Sequence, residues 1–221
     1  MRLWLVVLCM APAQAVRAAG GAHVVDDSEV ETPGVCHFEN WYTHYGAGSG
    51  LANSDVGCTL KAHPHVELNG AVQHIWDRAG ATTYASPSIK LALRPVSEGL
   101  GIAASGTATF DLDRGRLDSF AVTTPLTLAF SPKVRAHANL GYQWARTGDR
   151  NAFFWGAQLD VQASDKLALM GEVFGLNRGP AGFQAGVRWT PEHWIDVDLL
   201  AGRYVDGASP RALTLGITIR R

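Results

Sequence analysis

Residues 134–144 read VRAHANLGYQW. In an extended chain successive side chains point to opposite faces. Val134, Ala136, Ala138, Leu140, Tyr142 and Trp144 therefore share one face, and Arg135, His137, Asn139, Gly141 and Gln143 share the other. One face is hydrocarbon-like and the other is water-like. Eleven residues at about 3.3 Å each, tilted, are enough to cross a bilayer core.

The same alternation recurs on both sides of this stretch. Working outward, strands are expected at 34–45, 54–63, 65–76, 82–94, 99–112 and 117–130, then at 152–163, 166–176, 181–189, 194–204 and 211–220. With 134–144 that makes twelve, an even number, as single-chain bacterial barrels require. Between Val66 and Ile219 the apolar set has no Asp, Glu, Lys or Arg at mid-strand positions. A Lys or Arg on the lipid face at mid-bilayer costs roughly 2–4 kcal/mol, so this absence points to lipid. A soluble sandwich would also alternate, but its strands would average about 5–6 residues. The expected fold is all-β: a transmembrane antiparallel up-and-down barrel over 34–221 with short connections on both sides. Pro125 inside a strand removes a ladder donor and predicts a bulge or a weak pairing there. SPK at 131–133, SDK at 164–166 and TPEH at 190–193 read as tight turns at one end, and GAGSG at 46–50 as a turn between the first two strands.

The N-terminus starts Met-Arg, followed by a short apolar run from Leu3 to Ala11 and then Pro12. That is the layout of a signal peptide over 1–18, with cleavage near 15–19. The run is too short to span a membrane as a helix. Residues 19–33 are small and acidic with a closing Pro33, and are expected to form a flexible periplasmic N-terminus. Cleavage removes Cys9 and leaves Cys36 and Cys58 in an oxidising compartment. They are either joined or two small apolar residues facing lipid. Charged residues are 18% of the chain, below the roughly 25% of a soluble domain. A formal net charge of −1 gives no footprint for a nucleic-acid partner.

Function in such a fold lives in the lumen and at its mouths. The inward positions predict a lining of Glu67, Lys90, Arg94, Arg135, Asp160, Glu172, Arg188 and Asp198, with Asp111 and Asp196 beside them. Glu172 with Arg188, and Arg135 with Asp160, are expected to pair across neighbouring strands. Met170, Phe154 and Leu200 also point inward and make part of the wall apolar. Trp41, Trp76, Trp144, Trp155, Trp189 and Trp194 are expected in an interfacial girdle. No histidine lies beside an evident nucleophile at i+2, and no spacing matches a zinc site, so neither catalysis nor a metal or cofactor is expected.

The second half, from FAVTTPLTLAFSPKVRAHANLGYQW through FFWGAQLDVQASDKLALMGEVFG and AGFQAGVRWTPEHWIDVDLLAGRY to LTLGITIR, resembles a family of outer-membrane barrels known as transporters or as the MetA pathway of phenol degradation. The Asn-Leu-Gly-Tyr at 139–142, the strand around Glu172, the Gly-x-Arg-Trp at 186–189 and the Gly-x-Thr-x-Arg at 216–220 carry the likeness. It covers about 120–220 well and 36–95 loosely. The resemblance implies a passive outer-membrane transporter for small, aromatic or hydrophobic molecules. One departure is the ending Ile219-Arg220-Arg221, where such barrels close on an aromatic residue read by the insertion machinery. The expectation is thus a monomeric channel in the bacterial outer membrane, with lipid, the insertion machinery and a small solute as partners. The competing expectations are a non-conducting barrel with a charge-paired interior and, third, an outer-membrane lipid-modifying enzyme.

Overall fold

The computed structural model describes residues 22–46, 48–147, 151–179, 181–204 and 211–221. It forms twelve strands: β1 (Cys36–Gly46), β2 (Ser49–Thr59), β3 (Val66–Asp77), β4 (Gly80–Arg94), β5 (Leu100–Asp111), β6 (Arg116–Ser131), β7 (Val134–Ala145), β8 (Asn151–Ser164), β9 (Leu167–Leu176), β10 (Gly182–Glu192), β11 (Ile195–Tyr204) and β12 (Ala212–Arg220). Each pairs antiparallel with its chain neighbours, and β1 pairs with β12, so the sheet closes into a barrel with no free edge. The helical content among the described residues is one 3-10 turn, Val96–Glu98.

Alternation becomes an inside and an outside. In β7, Leu140 is 59% exposed while its neighbour Asn139 is 2% exposed. Phe38, Leu68, Val72, Phe130, Phe153, Leu199, Leu213 and Leu215 likewise point away from the barrel. In water this wall would be an apolar patch far beyond the few hundred Å² that soluble monomers tolerate. Strands of 9 to 16 residues give it the height of a bilayer core. The core of the molecule is instead polar: His37, Glu67, Lys90, Thr127, Gln158, Glu172, Arg188, Asp196 and Asp198 are all buried.

At the expected tight turns the strands are joined by two residues, with β6 ending at Ser131 and β7 starting at Val134, β8 at Ser164 and β9 at Leu167, β10 at Glu192 and β11 at Ile195. Each of these three hairpins shifts register by one residue close to its turn. The first turn is tighter than GAGSG suggests. Gly46 and Gly48 take φ of 80° and 82°, and β2 already begins at Ser49. That left-handed backbone is cheap only for glycine.

Pro125 stays in unbroken register with β7, opposite Asn139. The interruption falls on its other side. The β5–β6 register passes from Ile102↔Leu126 to Ser105↔Thr123, with no partners for Ala103 and Ala104. The pairing is weak there because the missing N–H is the one a β5 carbonyl would have met.

Cys36 and Cys58 are joined by a disulfide, and they stand directly opposite in the β1–β2 ladder. On its other side Cys36 exchanges both backbone hydrogen bonds with Arg221, each 2.8 Å. The start of β1 is thus tied covalently to β2 and by hydrogen bonds to the chain's last residue. Trp155, Trp189 and Trp194 face outward, as a girdle requires. Trp41 does not belong to it, because it lines the lumen.

Candidate functional site

Residues 22–33, expected as a flexible periplasmic tail, run inside the barrel. An irregular chain in a narrow polar lumen must find partners for its backbone groups, and the wall's side chains supply them. Gln184 donates to the carbonyl of Ala22 at 2.9 Å. The Glu172 carboxylate accepts the N–H of Val24 at 3.0 Å and of Val25 at 2.8 Å. The Asn139 amide accepts the N–H of Asp26 at 2.8 Å and donates to its carbonyl at 2.7 Å. Thr127 accepts from the N–H of Ser28 at 2.9 Å, and Glu67 from that of Glu31 at 2.6 Å. Val25 is fully buried, against the bare face of Gly156.

The acidity of this segment is the counter-charge of the wall. Lys90 reaches Asp26 at 2.9 Å and Asp27 at 3.2 Å. Arg135 holds Glu29, with Asp27 at 3.9 Å. Arg220 bridges Glu31 at 2.9 Å and Asp196 at 2.6 Å. Arg220 is therefore an inward anchor for the N-terminal segment.

Two expected pairs form differently. Arg188 stands opposite Asp198 in the β10–β11 ladder and binds it through two hydrogen bonds, 2.7 and 2.8 Å. On the β9 side its register partner is Ala168, while Glu172 faces Gln184. Arg135 does stand opposite Asp160, but its guanidinium is taken by the acids of the inner segment. Asp160 accepts instead from Gln158 at 2.7 Å and meets His137 Nε2 at 3.2 Å. Glu67, Lys90, Arg135, Glu172, Arg188 and Asp198 all lie in the lumen. Arg94 does not: it sits at the last position of β4, beyond a bulge, exposed at the rim beside Glu98.

His137 also meets Thr127 Oγ1 at 3.0 Å, so Thr127, His137 and Asp160 form a chain of hydroxyl, imidazole and carboxylate. Spacing along one strand cannot find it, because the three come from three strands. It does not make a nucleophile available to substrate. Thr127 is fully buried and its oxygen is capped by the Ser28 N–H. The chain is a docking point for the inner segment.

The segment leans on β6–β10 and leaves a cavity of about 200 Å³ along the β1–β5 side. Its lining includes His37, Glu39, Trp41, Asp55, Glu67 and Lys90 from the wall, and His23 and Asp26 from the segment. His23 is deeply buried, which pushes its pKa down to about 4, with Arg188 nearby acting in the same sense. Burial pushes Asp26 up to about 6, against the pull of Lys90, and Glu29 upward as well. Met170 and Leu200 are buried away from this cavity.

A closed twelve-stranded barrel with an apolar belt and a polar lumen has the architecture of the outer-membrane porins. Its backbone is similar to that of the KdgM porin (TM-score 0.68, 4% identity, covering 83% of this chain and 98% of that one). It is also similar to the COG4313 outer membrane channel from Pseudomonas putida F1 (0.60, 12%, 88% and 98%). Less closely, it resembles outer membrane phospholipase A from Escherichia coli (0.51, 9%, 83% and 92%). At these identities the likeness is one of fold. The chain belongs to the family described as Uncharacterised conserved protein UCP029691, whose model matches residues 6–221. No curated protein sequence matches it.

Proposed function

We propose that this protein is a passive channel of the bacterial outer membrane, in which the chain's own N-terminal segment narrows the lumen. The observation that carries this reading is the docked segment with a polar cavity beside it. A barrel built only as a scaffold has no need to leave such a space. Export by the N-terminal signal, insertion by the outer-membrane machinery and action as a monomer belong to the same reading. The lining argues for polar solutes over the aromatic or hydrophobic ones that the phenol-pathway resemblance implies, since Met170 and Leu200 do not line the cavity.

A second reading has its own support. The buried pairs Arg188–Asp198 and Lys90–Asp27 cross-link the interior as a non-conducting barrel would require. Planar-bilayer recordings separate the two. A small, steady conductance that rises when residues 22–31 are deleted supports the channel. Silence from both proteins leaves the scaffold. The Thr127–His137–Asp160 chain does not support catalysis, because the Thr127 oxygen is buried and capped by the Ser28 N–H.

A further inference from the structure

We propose that the cavity beside Trp41 is a binding site for a small organic ammonium ion. The proposal rests on the reading of the lumen as open to solutes, and names the class of solute.

The lining is rich in carboxylates. Lys90 and Arg220 are engaged by the inner segment, Lys90 by Asp26 and Asp27, Arg220 by Glu31 together with Asp196 of the wall. Glu39, Asp55 and Glu67 line the wall side, Glu67 also accepting the N–H of Glu31, with His37 between the first two at 4.0 and 3.8 Å. Carboxylates alone do not define a ligand, but two further features do.

The first is His23. Its side chain is 2% exposed and lines the cavity, yet neither ring nitrogen has a hydrogen-bond partner, and the nearest carboxylate oxygen, of Glu172, is 3.9 Å away. A buried polar group without a partner costs on the order of 1–3 kcal/mol, and a ligand N–H would satisfy it. With its pKa held near 4, this imidazole is neutral at pH 7 and adds no positive charge to the site.

The second is Trp41, the indole that the alternation turns inward. It stands opposite Gly216, whose missing side chain leaves room around it. Carboxylates around an indole are the chemistry that recognises alkylated ammonium ions: the ring quadrupole attracts the diffuse cation and the acids set the potential. A bare metal ion fits less well, because no three His, Cys, Asp or Glu side chains among the described residues are gathered closely enough to ligate one. About 200 Å³ is several times the roughly 30 Å³ that a water molecule occupies.

The experiment is calorimetry on the full-length protein in detergent, titrated with trimethylammonium chloride, which keeps one N–H, and, separately, with sodium chloride. Saturable binding of trimethylammonium, tighter than that of sodium, is expected. Trp41→Leu should weaken it about tenfold while Trp41→Phe keeps it, and Asp55→Asn should weaken it too. The heat-dependent gel shift of each variant reports whether its barrel has closed, and Asp55→Asn serves if Trp41→Leu does not fold. Binding no tighter than sodium, or undiminished in the folded Trp41→Leu and Asp55→Asn proteins, overturns the site. Ammonium binding by a protein silent in bilayers removes the passage and leaves the site. Conductance without binding does the reverse.

Discussion

Lys90, on β4, donates to Asp26 at 2.9 Å, across 64 residues of chain and from the barrel wall to the segment inside it. With Asp27 as its second partner it latches the segment at two adjacent acids. Removing it leaves two acids inside the barrel, one of them fully buried, with Arg135 3.9 Å from Asp27.

Lys90→Met should therefore undock residues 22–33. Breaking one side of a buried ion pair costs about 3–5 kcal/mol. The expected outcome is larger unitary conductance and thiol labelling of a Ser28→Cys reporter that is protected in the parent. An unchanged labelling rate would show that the backbone hydrogen bonds to Glu172 and Asn139 suffice without the latch.

The Arg188–Asp198 pair is structural. Arg188→Met strands Asp198, whose side chain is fully buried, and should destabilise the barrel by about 3–5 kcal/mol. The double variant Arg188→Met with Asp198→Leu should recover most of that, because no charge is left unpaired. The midpoint of the heat-dependent gel shift measures both. Equal loss in single and double variants would refute the assignment.

Acid should act on docking through His23. Its pKa falls from 6.5 to about 4 when the segment is docked. A group whose docked pKa is lowered disfavours docking when protonated. No penalty exists above pH 6.5; it grows as pH falls through the window from 6.5 to about 4, and reaches about 3 kcal/mol below it. Asp26 and Glu29 shift upward and so act in the opposite sense. The His23→Gln protein carries both acids unchanged. Comparing labelling of the Ser28→Cys reporter in the two backgrounds isolates His23, and the parent should lose protection relative to His23→Gln as pH drops from 7 to 4.

The disulfide closes a chain of 22 residues between Cys36 and Cys58. In the chain-entropy view such a loop is worth about 3 kcal/mol. Cys36→Ser with Cys58→Ser should lower the gel-shift midpoint, and reductant should lower the parent's midpoint to match. The double variant should be indifferent to reductant.

Much of this molecule is written in the alternation. A strand's period of two divides its side chains between faces without reference to anything distant, so Leu140 out and Asn139 in follow from residues 134–144 alone. Strand number, closure and a polar interior follow from repeating that argument. The tight turns at Ser131, Ser164 and Glu192 were legible because two-residue links carry their own composition.

Pairing across the wall was not legible. Each of those three hairpins shifts register by one residue beside its turn. Counting back from the turn would set Thr127 against Ala138, on the wrong face, where the structure sets it against His137. Nothing in the residues at these bulges announces them.

By itself, then, the order of amino acids determined which side of the strands from β2 to β12 meets hydrocarbon, because that division is local and its energy is the transfer of side chains between two solvents. Strand β1, with aromatics on both faces, was not decided that way. Only the tertiary structure decided what the polar side meets. Inside a closed barrel the neighbours of Arg135, Glu172 and Arg220 come from a segment more than a hundred residues away. Arg135 turns to the acids of that segment although Asp160 stands opposite it in the ladder, because the segment's backbone and charges also need partners inside the barrel.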